Sequence, residues 1–181
     1  YRQKNLKKYR SKVFCDCSEI SVHKSFLRFT AIARANETPS ILQLIDSLDF
    51  EIDKGIKLKE GNTNTVALVK TDTGQFVIKR YNMKTISHRV SRLFRRTRAS
   101  RSWENGHVLK SLNIRTPSPI ALIEERFGFL RGKAYLITEY SSGYPAQRLV
   151  EKKEFGKESL WIANLLQAFF DNQWIHGDLK A

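Results

Sequence analysis

Three short segments with the residue pattern of strands, separated by small polar turns, constrain the fold of this chain most strongly. They span residues 55–60, 65–70 and 75–81, and the stretches between them are rich in Gly, Asn, Asp and Thr. This spacing predicts an antiparallel meander of three strands. The tip of the first predicted hairpin contains Gly61, and a small polar tip allows backbone N–H groups to approach phosphates. A single glycine is equally typical of an ordinary hairpin, so both interpretations stay open.

Lys79 ends the apolar part of the third predicted strand. Strand alternation places Val77 and Lys79 on the same face, and a lysine on a half-buried strand requires a nearby anion because an isolated buried charge is costly. Glu104 is the candidate partner, because it is the first acid after Asp72 and lies in the next predicted helix. The alternative for Glu104 is an ordinary solvated helix residue.

A further pair of strands and a further helix follow. Residues 119–125 and 133–140 have strand patterns, and the Ser-Ser-Gly at 141–143 forms a natural boundary between lobes. Beyond this boundary, apolar residues recur at helical spacing and predict the clearest amphipathic helix of the chain. These residues are Ile162, Leu165, Leu166, Phe169 and Phe170.

The predicted helix leads into the stretch His-Gly-Asp-Leu-Lys at 176–180. In phosphoryl transfer an Asp accepts the proton of the attacking hydroxyl, and a nearby Lys can steady the transferred phosphate. Asp178 and Lys180 provide these two side chains. Alone, such a stretch is more often a polar turn after a helix, so its meaning depends on the order of the features upstream.

Residues 1–54 are predicted to form an amino-terminal extension, with strands and one helix, that packs on the lobe that follows. Strand patterns lie within residues 12–34. Thr38 and Pro39 have the features of a helix start, with Thr as the N-cap and Pro in the first turn. The sequence assigns this extension no chemical role.

The chain of 181 residues has a formal net charge of +14 and a pI of about 10.0. Such a charge favours an anionic partner. The charge is concentrated in residues 1–12 and 79–101, which contain no acid. Helical spacing of apolar residues in the second run is typical of a basic amphipathic helix on an anionic surface, and a solvated face is the alternative. The arginines considered for substrate or membrane contact are Arg89, Arg92, Arg95, Arg96 and Arg98.

The composition excludes several classes of protein. Hydrophobic residues make up 41% of the chain, which is enough for a core and too much for a disordered chain. No apolar run is long enough to span a bilayer, and the basic start lacks the apolar segment of a signal peptide. Cys15 and Cys17 are too close for a structural disulfide and belong to no metal-ligand cluster. We interpret them as reduced thiols of a cytosolic protein.

In order, these features are a hairpin, a strand with a lysine, a helix with a glutamate, two strands, a linker, a helix and His-Gly-Asp-x-Lys. From about residue 55 to its end the sequence resembles the protein-kinase-like fold, and more narrowly the bacterial lipopolysaccharide kinases of the Kdo/WaaP family. The segments that carry the resemblance are 77–82 (VIKRYN), 102–106 (SWENG), 116–119 (TPSP) and 176–181 (HGDLKA).

The resemblance implies an α+β fold in two parts. Residues 55–140 would form a kinase-like amino-terminal lobe with an antiparallel sheet and one main helix. Residues 141–181 would form a linker and the start of a helical carboxy-terminal lobe that ends in the catalytic loop.

The resemblance also implies roles for individual residues. Lys79 would contact the phosphates of ATP and Glu104 would orient Lys79. Asp178 would be the catalytic base, with Lys180 beside the transferred phosphate. The remaining nucleotide contacts would be Gly61 in the phosphate-covering loop, Val66 and Val77 against the adenine, and Glu139 and Tyr140 at the hinge.

By the same resemblance the chain would be a phosphotransferase with an alcohol group as acceptor. The family transfers phosphate from ATP to a sugar, heptose or Kdo, of the lipopolysaccharide inner core at the cytoplasmic face of the inner membrane. The expected partners are lipopolysaccharide or its lipid-linked core precursor and the anionic membrane surface, on which the chain would be peripheral. The arginine-rich run suits such an anionic substrate physically.

The sequence departs from the kinase pattern at two points. The glycine-rich loop retains only Gly61, and Asn64 stands where another glycine is usual. The metal-binding Asn would fall five residues after Asp178, past the last residue, Ala181. We therefore expect the ligands of Mg²⁺ to lie outside this sequence, and expect the sequence to be an incomplete chain that is inactive as it stands.

Two other functions remain open. Another small-molecule kinase with a His-Gly-Asp motif, such as an aminoglycoside-phosphotransferase-like enzyme, would more naturally have an acidic acceptor site than this arginine-rich run. A non-catalytic basic module would bind nucleic acid or anionic lipid without transferring phosphate. Nucleic acid is disfavoured, because aromatic residues are not interleaved with the basic run as a stacking platform requires.

Overall fold

The computed structural model describes residues 2–82, 96–128, 130–143 and 156–172. The chain divides into two compact units, Tyr1–Tyr140 and Ser141–Ala181. We describe each unit by itself.

The first unit is built on a seven-stranded sheet with the order β1-β2-β6-β7-β5-β4-β3. Every neighbouring pair of strands runs antiparallel. In chain order the strands are β1 (Ile20–Lys24), β2 (Arg28–Ala33), β3 (Ile56–Gly61), β4 (Asn64–Thr71), β5 (Gly74–Tyr81), β6 (Pro119–Phe127) and β7 (Leu130–Glu139).

Four α-helices are found in the described part of this unit. They are α1 (Arg2–Lys12), α2 (Pro39–Asp46), α3 (Leu48–Lys54) and α4 (Arg98–Ser111), and a short 3₁₀ helix covers Arg34–Asn36. Two of the helices have side-chain caps, as their sequences favour. Thr38 Oγ1 accepts a hydrogen bond from Ile41 N at 3.3 Å, and Thr97 Oγ1 accepts one from Ser100 N at 3.0 Å.

Side chains alternate along each strand, so the sheet has a separate core on each face. On one face, which we call the α2–α3 face, Ile41 of α2 and Ile52 of α3 pack with the strand residues Ile78, Ile123 and Ile137. On the other, which we call the α4 face, Trp103 of α4 and Val13 after α1 pack with the strand residues Tyr81, Leu122 and Leu136.

The α+β class and the antiparallel sheet predicted from the sequence are confirmed. The predicted meander is β3, β4 and β5, and the predicted strand pair 119–125 and 133–140 is β6 and β7. The first hairpin is tighter than predicted, because Gly61 and Asn64 are already paired. Its turn therefore consists of residues 62–63.

The amino-terminal extension differs from the prediction in two respects. It contributes β1 and β2 to the same sheet instead of only packing on it, and it contains three α-helices where one was expected. Helix α1 has no apolar stripe that a sequence pattern reveals. The helix predicted from Thr38 ends at Asp46, and the hydroxyl of Ser47 donates to Gln43 O at 3.0 Å. Such side-chain bonds to backbone compete with continuation of a helix.

In the second unit the described residues include one helix, α5 (Lys157–Asp171). It contains all five apolar positions that predicted a helix there, so this prediction is confirmed. Several of its apolar side chains are exposed, among them Leu160, Trp161 and Phe170. Among the described helices of both units, none combines the length and apolar character needed to cross a membrane.

Candidate functional site

The candidate site is a group of residues on the α4 face of the sheet. Val66 of β4 lies opposite Lys79 of β5, which lies opposite Leu136 of β7. Directly opposed residues of antiparallel strands project from the same face, and Leu136 belongs to the core of the α4 face. Val66 and Lys79 therefore lie on this face. Val77, two residues before Lys79, lies there too, which confirms the predicted common face.

Helix α4 packs on β6 and β7, and the neighbouring half of the same face, on β3–β5, is less covered. Val66, Val77 and Lys79 are only half-buried. Ile56 of the edge strand β3 lies opposite Leu68 on this face and is exposed. We call Ile56, Val66, Val77 and Lys79 the open patch. An apolar surface bordered by a cation suits a ligand that has a flat apolar part and an anionic part.

Lys79 holds its amino group over an aromatic ring. Its Nζ lies 5.2 Å from the centroid of the Tyr81 ring, a distance at which cation and ring attract each other. The Tyr81 hydroxyl lies 3.0 Å from Ser102 Oγ of α4, which connects strand β5 to the helix. With the described carboxylates Lys79 forms no ion pair, so its charge is available to an anionic ligand.

Glu104 of α4 is nearly buried, with 7% of its surface exposed. Its carboxylate pairs with the guanidinium of Arg96 and lies 3.6 Å from that of Arg10 on α1. Burial and pairing are inconsistent with a solvated helix residue, so that alternative for Glu104 is wrong.

The predicted ion pair between Lys79 and Glu104 is also wrong for this structure. The physical reason is competition for the carboxylate. Arg96 lies just before the same helix and presents a planar group with five N–H donors, which matches a carboxylate better than an ammonium does. The guanidinium of Arg96 also lies 4.8 Å from the centroid of the Phe14 ring, so packing holds it in place.

Gly61 is the last residue of β3, next to the two-residue turn. A Cβ atom built on Gly61 would meet Asn64 O at 3.6 Å, which is an ordinary contact. The hairpin therefore does not itself require glycine at this position. The free space beside the backbone here is what the approach of a ligand would use.

Glu139 and Tyr140 lie at the end of β7, where the first unit ends. Glu139 lies opposite Phe76, which belongs to the core of the α2–α3 face. Its side chain therefore projects from the face opposite to the open patch. Both residues are exposed, and their N–H groups donate to Ser118 O at 3.0 Å and Gln75 O at 3.1 Å.

The proposed catalytic pair and most of the arginine-rich run lie outside the described residues. These are Asp178, Lys180, Arg89, Arg92 and Arg95. Arg96 and Arg98 are described, and both are exposed at the start of α4. Arg96 is engaged with Glu104, so its first role in this structure is an internal ion pair and not a contact with a substrate.

The buried carboxylate of Glu124 was not predicted from the sequence. Glu124 of β6 is 1% exposed and accepts hydrogen bonds from Thr97 and Ser100 at the start of α4. It also pairs with Arg126 and Arg131. Burial alone would raise the pKa of Glu124, but these hydrogen bonds and charges lower it below its ordinary value. The residue fixes the start of α4 on the sheet and thereby positions Glu104.

A second network on the α2–α3 face was also missed. Asp49 of α3 accepts hydrogen bonds from Arg80 at 3.0 Å, Tyr135 Oη at 3.0 Å and Lys133 at 2.6 Å. Burial would raise the pKa of Asp49, but these donors lower it below its ordinary value. The network attaches α3 to β5 and β7. Its four members are far apart in sequence, so no local pattern could reveal it.

His107 is the buried histidine of α4. Its ring lies against Trp103, with ring centroids 4.2 Å apart and nearly perpendicular planes, and its Nε2 has no hydrogen-bond partner. Burial, assisted by the charge of Lys110, lowers the pKa of His107 to about 4. It is therefore a neutral core residue at pH 7 and not a candidate general base.

No family model matches this chain, and neither a curated protein nor a solved structure does. Among the described residues, no group of three or more His, Cys, Asp or Glu side chains is arranged to hold a metal ion.

Proposed function

We propose that this chain is the nucleotide-binding part of an ATP-dependent kinase with a protein-kinase-like fold. Its acceptor would be a sugar, heptose or Kdo, of the lipopolysaccharide inner core. In this proposal Lys79 binds the phosphates of ATP, Val66 and Val77 contact the adenine, and the backbone near Gly61 covers the phosphates. Asp178 would accept the proton of the acceptor hydroxyl, with Lys180 beside the transferred group.

The observation that carries the proposal is the open patch. Its three valine and isoleucine side chains lie on one face of the meander β3–β5, and Lys79 lies on the same face beside helix α4. A flat base can pack on such apolar side chains, and the lysine then lies where the attached phosphates can reach it. The chain order of hairpin, lysine strand, helix with a buried glutamate and two further strands supports the same conclusion.

The residues present fit the phosphates of ATP better than they fit Mg²⁺. The amino group of Lys79 lies over an aromatic ring and pairs with no described carboxylate. An anion can therefore bind it without breaking an ion pair. Magnesium would neutralise charge on the transferred phosphate when bound. The described residues provide no metal-ligand group for it, and we assign Mg²⁺ ligands to none of them.

The choice of acceptor rests on charge. Lipopolysaccharide core is anionic, and the chain carries a formal net charge of +14. Arg89, Arg92, Arg95 and Arg98 would attract the core sugar and the anionic inner face of the inner membrane, where the protein would lie peripherally. Arg96 would contribute only after release from Glu104.

A second candidate function is a non-catalytic module that binds anionic lipid or nucleic acid. The observation in its favour is the position of Glu104, which is bound by arginines and does not orient Lys79. In that case the open patch would bind no nucleotide, and affinity for a polyanion would fall steeply with salt.

Calorimetric titration of ATP into the wild type and Lys79→Met distinguishes these functions. We expect the variant to bind ATP roughly tenfold to a hundredfold more weakly, because one charge-assisted contact contributes about 1.5–3 kcal/mol. Lys110→Met is the matched control, since Lys110 is exposed on α4 and outside the open patch. Equal affinities for all three proteins would exclude the assigned role of Lys79.

The acceptor is tested by transfer of labelled phosphate from ATP to purified lipopolysaccharide, with the full-length gene product and an Asp178→Ala variant. Transfer by the wild type that is lost in the variant would establish the kinase and its base. Binding of ATP without any transfer to lipopolysaccharide would exclude the core sugar as the acceptor. The chain would then be interpreted as another small-molecule kinase. Salt-sensitive binding to a polyanion without any affinity for ATP would establish the non-catalytic module.

A further inference from the structure

Among the described residues, two turns at one end of the sheet together expose three large apolar side chains. Phe26 and Leu27 belong to the turn between β1 and β2, and Phe127 is the last residue of β6. Their exposed fractions are 63%, 61% and 64%. We call these three residues the apolar tip.

The apolar tip is held in a defined shape by backbone hydrogen bonds between the two turns. Arg126 N donates to Leu27 O at 2.7 Å, and Gly128 N donates to Phe26 O at 3.1 Å. The rings of Phe26 and Phe127 meet edge to face, with centroids 5.1 Å apart. The two turns therefore present one preformed surface, and ordering it on binding costs little conformational entropy.

Positive charge surrounds this surface. Lys24 and Arg28 flank the first turn, and Arg126 precedes Phe127. The start of α4 lies at the same end of the sheet, because Thr97 Oγ1 donates to Glu124, three residues before Phe127. Exposed Arg96 and Arg98, on either side of Thr97, therefore lie toward this end of the sheet. Several of these cations are already paired: Arg28 with Asp46, Arg126 with Glu124 and Arg96 with Glu104. Lys24 and Arg98 form no ion pair with a described carboxylate, and Glu125 accepts a hydrogen bond from Tyr135.

The size of the apolar tip decides what kind of partner it fits. With roughly 200 Å² for each large side chain, its exposed area is about 350–400 Å². A stable interface between proteins buries about 800 Å² on each partner, which is twice this area. A small projecting group of aromatic and aliphatic side chains with cations behind it matches the boundary between acyl chains and anionic headgroups.

From this arrangement we propose that the apolar tip inserts into the surface of a bilayer that contains anionic lipid. Phe26, Leu27 and Phe127 enter the acyl boundary, while Lys24 and Arg98, which form no ion pair with a described carboxylate, contact the headgroup phosphates. The apolar tip would be a second membrane contact, in addition to the arginine-rich run of the proposed kinase. It does not depend on kinase activity, because a bilayer recognises this surface whether or not the open patch binds ATP.

Co-sedimentation with vesicles tests the proposal directly. The proteins compared are the wild type, Phe26→Ser with Phe127→Ser, and the control Phe50→Ser. Phe50 is as exposed as the tip residues, at 65%, and lies on α3, whose neighbours pack on the opposite face of the sheet. On vesicles containing phosphatidylglycerol we expect the tip variant to bind roughly tenfold or more weakly than both other proteins, because membrane affinity scales with buried apolar area. Unchanged binding of the tip variant, or an equal loss in Phe50→Ser, would overturn the proposal.

A gain-of-signal measurement complements the loss. In Phe127→Trp the new indole should be quenched by brominated acyl chains beyond the signal of the wild type, whereas Phe50→Trp should add no quenching. Absence of added quenching in Phe127→Trp would contradict insertion.

Sedimentation of the free proteins, without vesicles, tests whether the apolar tip instead binds a second copy of the chain. If the wild type forms a dimer, the tip variant does not, and neither protein binds vesicles, the tip is a dimer interface and the proposal is overturned. Titration of ATP into the tip variant keeps this test separate from that of the kinase, since the tip lies outside the open patch.

Discussion

The two faces of the sheet differ in how completely helices cover them. On the α2–α3 face, Ile52, Ile78 and Ile137 have no exposed surface, and the Asp49 network attaches helix α3 to the strands. On the α4 face, the half on β6 and β7 is equally buried around Trp103 and Leu122. The other half, on β3–β5, contains the half-buried open patch.

The difference between the two faces is visible within strand β5. Ile78 and Val77 are neighbours on it, yet Ile78 is buried in one core while Val77 belongs to the half-buried open patch. A fully buried side chain stabilises the fold, and a half-buried one leaves surface that a ligand can cover. The sheet thus combines a stabilising face with a face part of which remains accessible for binding.

The largest effect should come from shortening the two neighbours on β5 separately. Ile78→Ala should lower the free energy of unfolding by about 4 kcal/mol, since it leaves a cavity in a closed core. Val77→Ala should cost about 1 kcal/mol or less, because its site can be filled by solvent, while weakening ATP binding. Urea denaturation monitored by circular dichroism measures both. Similar losses in the two variants would show that the two faces are equally closed.

The next effect concerns the carboxylate that fixes helix α4. Glu124→Gln should cost about 3 kcal/mol, because Arg126 and Arg131 then lose their anion at a buried position. The control is Glu125→Gln, which alters the adjacent, half-buried residue on the other face and should cost about 1 kcal/mol through its hydrogen bond with Tyr135. Chemical denaturation at pH 7 measures the loss in the free energy of unfolding for both variants. Equal losses would contradict the assignment of Glu124 as the residue that fixes α4 on the sheet.

The smallest effect is a pH dependence of the α4 face. The pKa of His107 is lowered to about 4 in the folded state, against about 6.5 in an unfolded chain. Protonation therefore favours unfolding: stability is fully present above about pH 6.5 and is lost as the pH falls toward 4. The loss should be of order 2–3 kcal/mol.

The matched variant for this prediction is His107→Phe, which keeps an aromatic ring against Trp103 and removes the titrating group. Its free energy of unfolding should change less than that of the wild type between pH 6.5 and pH 4.5. Parallel pH profiles for the two proteins would contradict the assigned burial of His107.

Local patterns in the sequence predicted much of the fold. The meander β3–β5, the pair β6 and β7, the start of α2 at Thr38 and the helix α5 all follow from alternation, turn residues, a cap and helical spacing within single segments. Helix α1 was not predicted, because its sequence of mostly basic and polar residues has no apolar periodicity.

The candidate site could be predicted only in part. The common face of Val77 and Lys79 follows from the alternation of a strand, and the structure confirms it. The partner of Glu104 could not be predicted, because Lys79, Arg96 and Arg10 are all cations that could approach its carboxylate once the chain is folded. Which of them pairs with Glu104 depends on where α1 and the start of α4 lie.

The sequence alone places most of the strands and helices, since hydrophobic period, caps and turn residues act within a few neighbours. It also determined the strongly positive charge, which no fold can alter. The tertiary structure fixes which carboxylates are buried and which cation each one binds, and it brings the turns of Phe26 and Phe127 together in one apolar tip. These features depend on contacts between residues distant in sequence, and their energies arise only when packing excludes water from the charges and rings concerned.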